Sequence, residues 1–274
     1  MRALLLLLLL PMIGACSGTE GPLLVQAGSP DESAPDAGDV PSGGPVEVGM
    51  TLQYQLVGAL DEGAEAELFV IDLFERSGEE IARLHARGRV VLAYVAAGSH
   101  EPWRPDADAF PAATLGNPLP AYPDERWLDV RDPTVRQLQR ARMELARDKG
   151  FDGLVLTGLD AYGRDSGHAL SADDQLDYNL WLAAQAHALA LSVGLASAWA
   201  QAEALAPEYD FAIHIDCLAE NRCAELEPYR RAGRPVFDLE TAGTPEDVCA
   251  QAASLGLPVT LKRASFDAWL HTCP

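Results

Sequence analysis

From residue 50 onward the chain repeats one unit, a short and nearly continuous apolar run followed by a longer segment with helical punctuation. The runs fall at 52–57, 67–73, 89–96, 153–157, 192–197, 211–215, 235–240 and 258–262. Runs such as Leu68-Phe69-Val70-Ile71 and Val90-Val91-Leu92-Ala93 have no polar face, which suits parallel strands covered by helices. Asp132-Pro133 and Thr244-Pro245 each place a capping oxygen before a proline at the first helical position. Ser171 and Asp174 form a capping-box pattern, followed by Leu176, Leu180, Ala183 and His187 on one face. Gly88, Gly150, Gly233 and Gly256 stand where helices end and strands begin. Eight strands alternating with helices predict an α/β fold, a (β/α)8 TIM barrel forming a single domain over residues 47–274. An open doubly wound sheet is the alternative, but no GxGxxG follows the first strand.

In such a barrel the functional site lies at the C-terminal strand ends and in the loops after them. Gln53 and Gln55 lie on the first strand, Asp72 ends the second and Tyr94 nears the end of the third. The long loop after strand three carries Ser99, Glu101, Trp103, Arg104 and Asp106. Asp160 and Tyr162 follow strand four, Ser197 and Trp199 end strand five, and His214 and Asp216 end strand six. Glu240 and Lys262 end strands seven and eight. Carboxylates beside aromatics suit a saccharide, because rings stack on sugar faces while acids bind hydroxyls and move protons. A fold-only reading competes: Asp72 capping a loop, Arg104 paired with Asp106 or Asp108, and Trp103 in the core. Tyr178 and Trp181, on a predicted helix, read as packing residues, and His187 as a satisfied core residue.

The N-terminus reads as an export signal. Met1-Arg2 precedes a short apolar run, and Ile13-Gly14-Ala15-Cys16 supplies small residues before a cysteine. The run is too short to span a bilayer and fits a signal peptide at 1–15. It resembles a bacterial lipoprotein signal with Cys16 as the acylated residue, and Ser17 favours the outer membrane. Residues 16–46 are rich in Gly, Pro, Ser and acids, and read as a disordered tether spanning roughly 30 Å as a coil. The only membrane contact expected is through that anchor, and the protein is expected to be monomeric.

Net charge is −21, from 41 acidic and 20 basic residues, which excludes nucleic acid as a partner. Setting Cys16 aside leaves Cys217, Cys223, Cys249 and Cys273, an even set suited to disulfides in an oxidising compartment. Three pairings are open, and spacing does not choose among them. The six histidines show no HExxH or clustered spacing, so no metal is expected. With no glycine-rich phosphate loop and no GxSxG elbow, no cofactor is expected either.

At these residues the chain resembles the secreted endo-α-1,4-polygalactosaminidases among the glycoside hydrolases. The resemblance runs from Leu52 to Cys273 through YQLVG at 54–58, FVIDLF at 69–74, VAAGSHEPWRPDADAF at 95–110 and ERWLDVR at 125–131. It continues in KGFDG at 149–153, LDAYGRDSG at 159–167, AHALALSVGL at 186–195 and YDFAIHIDC at 209–217. It implies the barrel, a cationic or N-acetylated galactosamine polymer as ligand, and the pairings Cys217–Cys223 and Cys249–Cys273. Binding roles are expected for Gln55, Asp72, Tyr94, Glu101, Trp103, Arg104, Tyr162, Trp199 and His214, from their places at or near the strand ends.

The departures fall at strand ends. Where the family pattern runs Val-Glu-Pro-Asp-Asn-x-Asp-Gly-Tyr, this chain runs from Leu154 to Tyr162 with Val155 and Thr157 in place of the first two acids. A Lys-Asn pair on strand five is Ala196-Ser197, and Asn-Glu-Gln-Cys on strand six is His214, Ile215, Asp216 and Cys217. The strand-four Asp and strand-six Glu resemble the family's catalytic carboxylates, and neither is present. Glycoside hydrolysis needs two such groups, and loss of one acid–base group alone costs about 10²–10⁴-fold. The expectation is a surface lipoprotein that binds polysaccharide with impaired or lost hydrolysis. Two alternatives are an active endo-glycosidase with relocated acids at Asp160, Asp216 and Glu240, and an interaction lipoprotein using the barrel as scaffold.

Overall fold

The computed structural model describes residues 45–274. The expected signal peptide, the expected acyl-acceptor Cys16 and nearly all of the expected tether lie outside the described residues.

Each of the eight apolar runs forms a strand: β1 (Leu52–Gln55), β2 (Leu68–Asp72), β3 (Val90–Ala96), β4 (Gly153–Thr157), β5 (Ser192–Leu195), β6 (Phe211–Ile215), β7 (Val236–Glu240) and β8 (Val259–Lys262). They pair in chain order, every neighbour parallel. Helices α1 (Gly78–His85), α2 (Pro133–Lys149), α3 (Ala172–Ala188), α4 (Ala202–Leu205), α5 (Glu227–Arg231) and α6 (Pro245–Leu255) follow β2 to β7 in turn. The fold is an α/β barrel with two departures from strict alternation. No helix joins β1 to β2, and after β8 a short strand, β9 (Leu270–Thr272), returns antiparallel.

Among the described residues no backbone ladder joins β8 to β1. Side chains and the β8–β9 turn close that seam. Lys262 Nζ donates to Gln53 Oε1 at 2.6 Å and to the Asp267 carbonyl at 2.7 Å, while Gln53 Nε2 donates to the Ala268 carbonyl at 2.9 Å. Leu56 N donates to the Phe266 carbonyl at 2.9 Å. Burying a lysine here is tolerable because its ammonium keeps strong hydrogen bonds.

Strand alternation divides the core into two layers. Leu52, Tyr54, Leu68, Val70, Leu92, Val155, Phe211, Ile213, Phe237 and Leu239 fill the barrel interior. Their chain neighbours, such as Phe69, Ile71, Leu154, Leu156 and Ala212, face the helices in a separate layer.

Helix ends follow their signals. Asp132 accepts from Thr134 N at 2.7 Å at the start of α2, and Gly150 closes that helix with φ 92°, a left-handed conformation costly for other residues. Ser171 and Asp174 complete the capping box of α3. The buried face of α3 is Gln175, Tyr178, Asn179, Leu182, Ala183 and Ala186, so of the expected stripe only Ala183 is fully buried. Leu176, Leu180 and His187 flank it half-buried, because the helix rolls to aim the Tyr178 hydroxyl at the Ala97 carbonyl, 2.7 Å away. Trp181 stacks on Tyr178 at 6.0 Å, a packing role for both rings.

His187 is not a core residue. Its Nε2 lies 3.0 Å from Asp210 Oδ2, and that same oxygen accepts from Val193 N at the start of β5. The motif recurs: Asp152 Oδ2 takes His85 Nε2 at 2.8 Å and Val91 N at 2.7 Å. In each case the aspartate just before one strand ties a helix end to the preceding strand. Disulfides join Cys217 to Cys223 and Cys249 to Cys273, the second stapling α6 to the chain just after β9. Among the described residues no helix is long and apolar enough to cross a membrane.

The long segment between β3 and α2 folds into its own three-stranded antiparallel sheet of Ser99–His100, Arg126–Leu128 and Leu115–Pro118. Arg142 of α2, fully buried, anchors it with bonds to both Asp106 oxygens (2.8 and 2.9 Å) and to the Ala96 carbonyl (3.1 Å). This sheet stands over the C-terminal mouth of the barrel.

Candidate active site

A cleft of about 510 Å³ opens at the C-terminal strand ends, a size suited to a small ligand or a short stretch of polymer. It lies between the barrel mouth and the inserted sheet.

One wall is charged. Arg104, from the insertion, bonds Glu101 through Nε (2.7 Å to Oε2) and Nη2 (2.7 Å to Oε1), and Asp72 at the end of β2 through Nη1 (2.9 Å to Oδ1). The same guanidinium lies 2.8 Å from Asp72 Oδ2. Asp72 Oδ1 also caps the loop after β2, accepting from Phe74 N and Glu75 N. All three side chains are at most 6% exposed. Burial works against the Arg104 charge, but the hydrogen bonds it donates to Glu101 and then Asp72 outweigh it and raise its pKa. Arg104 therefore does not pair with Asp106 or Asp108, and Trp103, 55% exposed, is not core.

The facing wall is neutral. Thr157 and Gly158 from the end of β4, Ala196 just past β5 and Ile215 at the end of β6 all line the cleft. Gly158 has φ +76°, which side chains rarely adopt, and it packs on Gly98, where a Cβ would lie 1.7 Å from the Gly158 carbonyl oxygen, so glycine is required at both. Three of the positions that depart from the polygalactosaminidase pattern, Thr157, Ala196 and Ile215, thus line one cleft, while Val155 lies in the barrel interior below it.

The floor and rim are aromatic. Tyr54 packs edge-on to Tyr94 at 6.4 Å and against Phe266 at 5.1 Å. Thr157 Oγ1 lies 3.4 Å from the Tyr94 hydroxyl. Burial raises the pKa of the Tyr94 phenol, and the nearby Glu101 charge adds to it, so it stays a neutral donor. Trp103 and Tyr122 stand exposed at the rim.

Five of the nine expected binding residues meet here: Asp72, Tyr94, Glu101, Trp103 and Arg104. Four do not. Gln55 turns away from the barrel interior and braces the loop after β1, bonding the Val57 and Ala59 carbonyls and Asp61 N. His214 faces the helix layer, stacked on Trp199 at 4.5 Å with Nε2 3.0 Å from Glu225, which removes both aromatics from the cleft and leaves His214 no acid–base role there. Tyr162 sits half-buried in a turn at Ala161–Gly163, outside the cleft lining.

The three candidate acids also lie outside the lining. Glu240 alternates with the inward Leu239 and is buried on the outer side, accepting from Leu218 N at 2.6 Å and Ala219 N at 3.3 Å. Beside it, burial and the Glu240 carboxylate push the Asp238 carboxyl far up. Asp160 is engaged by Arg164 on the surface. Asp216 has φ +60°, which turns the chain as β6 ends, and both of its oxygens are taken by the Thr241 hydroxyl. It remains close enough to the rim to raise the Tyr122 phenol's pKa, behind burial and Glu125.

Glu125 is the cleft residue that strand-end reasoning missed. It immediately precedes the Arg126–Leu128 strand of the inserted sheet, and the residue is only 7% exposed. Ser99 Oγ donates to its Oε2 at 2.7 Å. Burial raises its carboxyl pKa and the Glu101 charge adds to that, against the Ser99 hydrogen bond. A proline-flanked turn, closed by Leu119 N to the Glu125 carbonyl and Glu125 N to the Tyr122 carbonyl, presents Tyr122 and Glu125 together. The signal for it was its place at the head of ERWLDVR. Among the described residues the cluster spaced for a cation is Cys217, Cys223 and Asp238, and both its sulfurs are committed to a disulfide.

The chain is similar to known proteins in both sequence and fold. The model of glycoside-hydrolase family GH114 matches residues 32–274. The crystal structure of Aspergillus fumigatus Ega3 in complex with galactosamine is 32% identical, with a TM-score of 0.79 over 83% of this chain and 96% of that one. The glycoside hydrolase domain of PelA from Pseudomonas aeruginosa shares the fold at 14% identity, with a TM-score of 0.66 over 81% of this chain and 98% of that one. An uncharacterized protein of Deinococcus radiodurans is 26% identical, over 73% of this chain and 74% of that protein.

Proposed function

Because the chain belongs to glycoside-hydrolase family GH114, we propose that it binds a galactosamine-containing polysaccharide and has lost most or all of its hydrolytic power. One observation carries this reading. Thr157, Ala196 and Ile215 form a neutral wall, while Asp72, Glu101, Arg104 and the aromatics keep a polar, ring-lined wall opposite. Neither a threonine hydroxyl nor an isoleucine can protonate a leaving oxygen or attack an anomeric carbon as a carboxyl does. A sugar still gains ring stacking and hydrogen bonds from what remains.

The binding chemistry follows from the side chains. The Arg104 ion network holds Asp72 and Glu101 rigid, so their order is fixed before a ligand arrives. Trp103 and Tyr122 offer ring faces at the rim. Galactosamine, the ligand named with Ega3, is the residue class we assign to the polymer. We place the protein at the bacterial surface, exported by the 1–15 signal, anchored through Cys16 and spaced by the 16–46 tether, as a monomer. The polar, ring-lined cleft favours a ligand site over a mere scaffold.

Isothermal titration of the full chain with galactosamine oligomers tests the reading, together with an assay for new reducing ends. Binding without cleavage is the expected result; no binding removes the proposal. A second reading, retained hydrolysis by relocated acids, is favoured by the nearness of Asp216 to Tyr122 at the rim. Release of reducing ends by the wild-type protein, abolished in Asp216→Asn, is the outcome that would establish it.

A further inference from the structure

The two ends of the Cys217–Cys223 disulfide lie in different surroundings. Cys217, just past the end of β6, is fully buried, while Cys223 is half-buried beside the exposed loop Ala219–Arg222. An outside thiolate therefore meets the Cys223 sulfur first, and the electron pair of the broken bond falls on the Cys217 sulfur. A thiolate left there, out of water, is costly unless a proton comes with it.

A buried acid stands at that sulfur. A carboxyl oxygen of Asp238, 1% exposed on β7, lies within 4.8 Å of both sulfurs. Asp238 Oδ1 accepts from Cys217 N at 3.2 Å, which holds the carboxyl against that residue. Among the described residues no N–H or O–H of another group reaches Oδ2. Glu240, two residues on and on the same outer side of β7, already accepts from Leu218 N and Ala219 N. Two neighbouring buried carboxyls do not both ionise, and with those N–H groups on Glu240 the proton falls to Asp238. Burial and then Glu240 push the Asp238 carboxyl far up, and Asp216 adds to it against the Cys217 N–H. The remaining group beside it is His214, its register partner on β6, whose ring nitrogens are turned to Glu225 and the Ile215 carbonyl. Among the described residues the Cys249–Cys273 disulfide has no carboxyl so placed.

We propose that Cys217–Cys223 is an exchangeable disulfide, with Asp238 as the acid that protonates Cys217 when a dithiol opens the bond and the base that takes that proton back when it closes. In the opening direction a thiolate of the dithiol bonds to Cys223 Sγ, the disulfide breaks toward Cys217, and the Asp238 proton moves to Cys217 Sγ. The second thiol of the same molecule then displaces Cys223 from the mixed disulfide. The protein ends as two thiols, the dithiol as a cyclic or internal disulfide, and Asp238 regains its proton from water. Nothing in this step depends on what the barrel cleft binds.

The test treats the full chain with dithiothreitol, quenches by alkylation and follows each disulfide by peptide mass mapping from about pH 6 to about pH 10, with rates divided by the thiolate fraction of the reagent. The corrected wild-type rate at Cys217–Cys223 is expected to be level near neutrality and to fall in alkali, where Asp238 loses its proton. The Cys249–Cys273 rate is expected to stay level throughout and serves as the internal reference. Asp238→Asn keeps an acceptor for Cys217 N. It is expected to slow opening of Cys217–Cys223 by at least about tenfold near neutrality and to abolish the alkaline fall, the effect being modest for general-acid catalysis because a thiol is already a fair leaving group. Glu240→Gln removes the neighbouring charge and is expected to move the fall to lower pH, a change in profile that a purely structural role for the pair would not produce. Equal rates in wild type and Asp238→Asn, or a slowed Asp238→Asn that keeps the wild-type fall, overturn the proposal. So does a corrected wild-type rate that shows no fall in alkali, which decides the matter even if Asp238→Asn does not fold.

Discussion

Arg104, carried by the inserted sheet, lies 2.8 Å from Asp72 at the end of β2, with both side chains almost entirely out of water. This contact fastens the insertion to the barrel and fixes the charged wall of the cleft. Removing the cation would strand Asp72 and Glu101 as buried anions. Arg104→Ala is expected to cost about 3–5 kcal/mol in denaturant unfolding, the range for breaking a buried pair. Arg104→Lys is expected to recover only part of it, because an ammonium cannot form the planar fork that meets two carboxylates. Equal stability of all three proteins would refute this account.

The neutral wall invites repair. Thr157→Asp combined with Ile215→Glu places two carboxyls at the ends of β4 and β6, on the same side of the cleft. The double variant is expected to release reducing ends from galactosamine polymers at least 10²-fold faster than the wild type, with either single change well below it. Failure of the double variant, if folded and able to bind, would show that more than two groups were lost.

Trp103 and Tyr122 are exposed at the rim and touch little of the core. Changing either to Ala is expected to weaken oligosaccharide binding by about tenfold, as for a truncated aromatic contact. Stability is expected to move by less than about 0.5 kcal/mol. Calorimetric titration and thermal melts separate the two effects.

The His187–Asp210 pair predicts a pH dependence. The hydrogen bond His187 donates to Asp210 raises the His187 pKa above its usual value, against burial. Its contribution is therefore complete below the unfolded histidine value near 6.5 and is lost as pH rises through the higher folded value. For Asp210, burial pulls the pKa upward but the bonds from His187 and Val193 N prevail and lower it, so its share is lost only in acid. With His187 about a third exposed, the effect is expected to stay below about 1 kcal/mol. The stability gap between wild type and His187→Asn should be widest near pH 6 and shrink in alkali; a gap that widens there would contradict the assignment.

Much of the architecture was legible in the residues. Apolar runs such as Val90-Val91-Leu92-Ala93 could only be strands covered on both faces, and Asp132-Pro133 with Gly150 bounded α2. Those signals are local, since caps, prolines and run lengths act within a turn or two of the chain. The helix-less β1–β2 connection and the side-chain seam at Lys262 were not legible, because they depend on how the last strand meets the first.

The sequence by itself determined the barrel, its helix caps and the absence of acids at Thr157 and Ile215. Only the tertiary structure decided which polar residues face the cleft. Side chains alternate along a strand, so a one-residue step carried Glu240, His214 and Gln55 outward while Leu239, Ile215 and Tyr54 went inward. Glu125 reached the cleft by the opposite route. It lies on no barrel strand, and only the packing of the inserted sheet, held by Arg104 and Arg142, brings its carboxylate over the mouth.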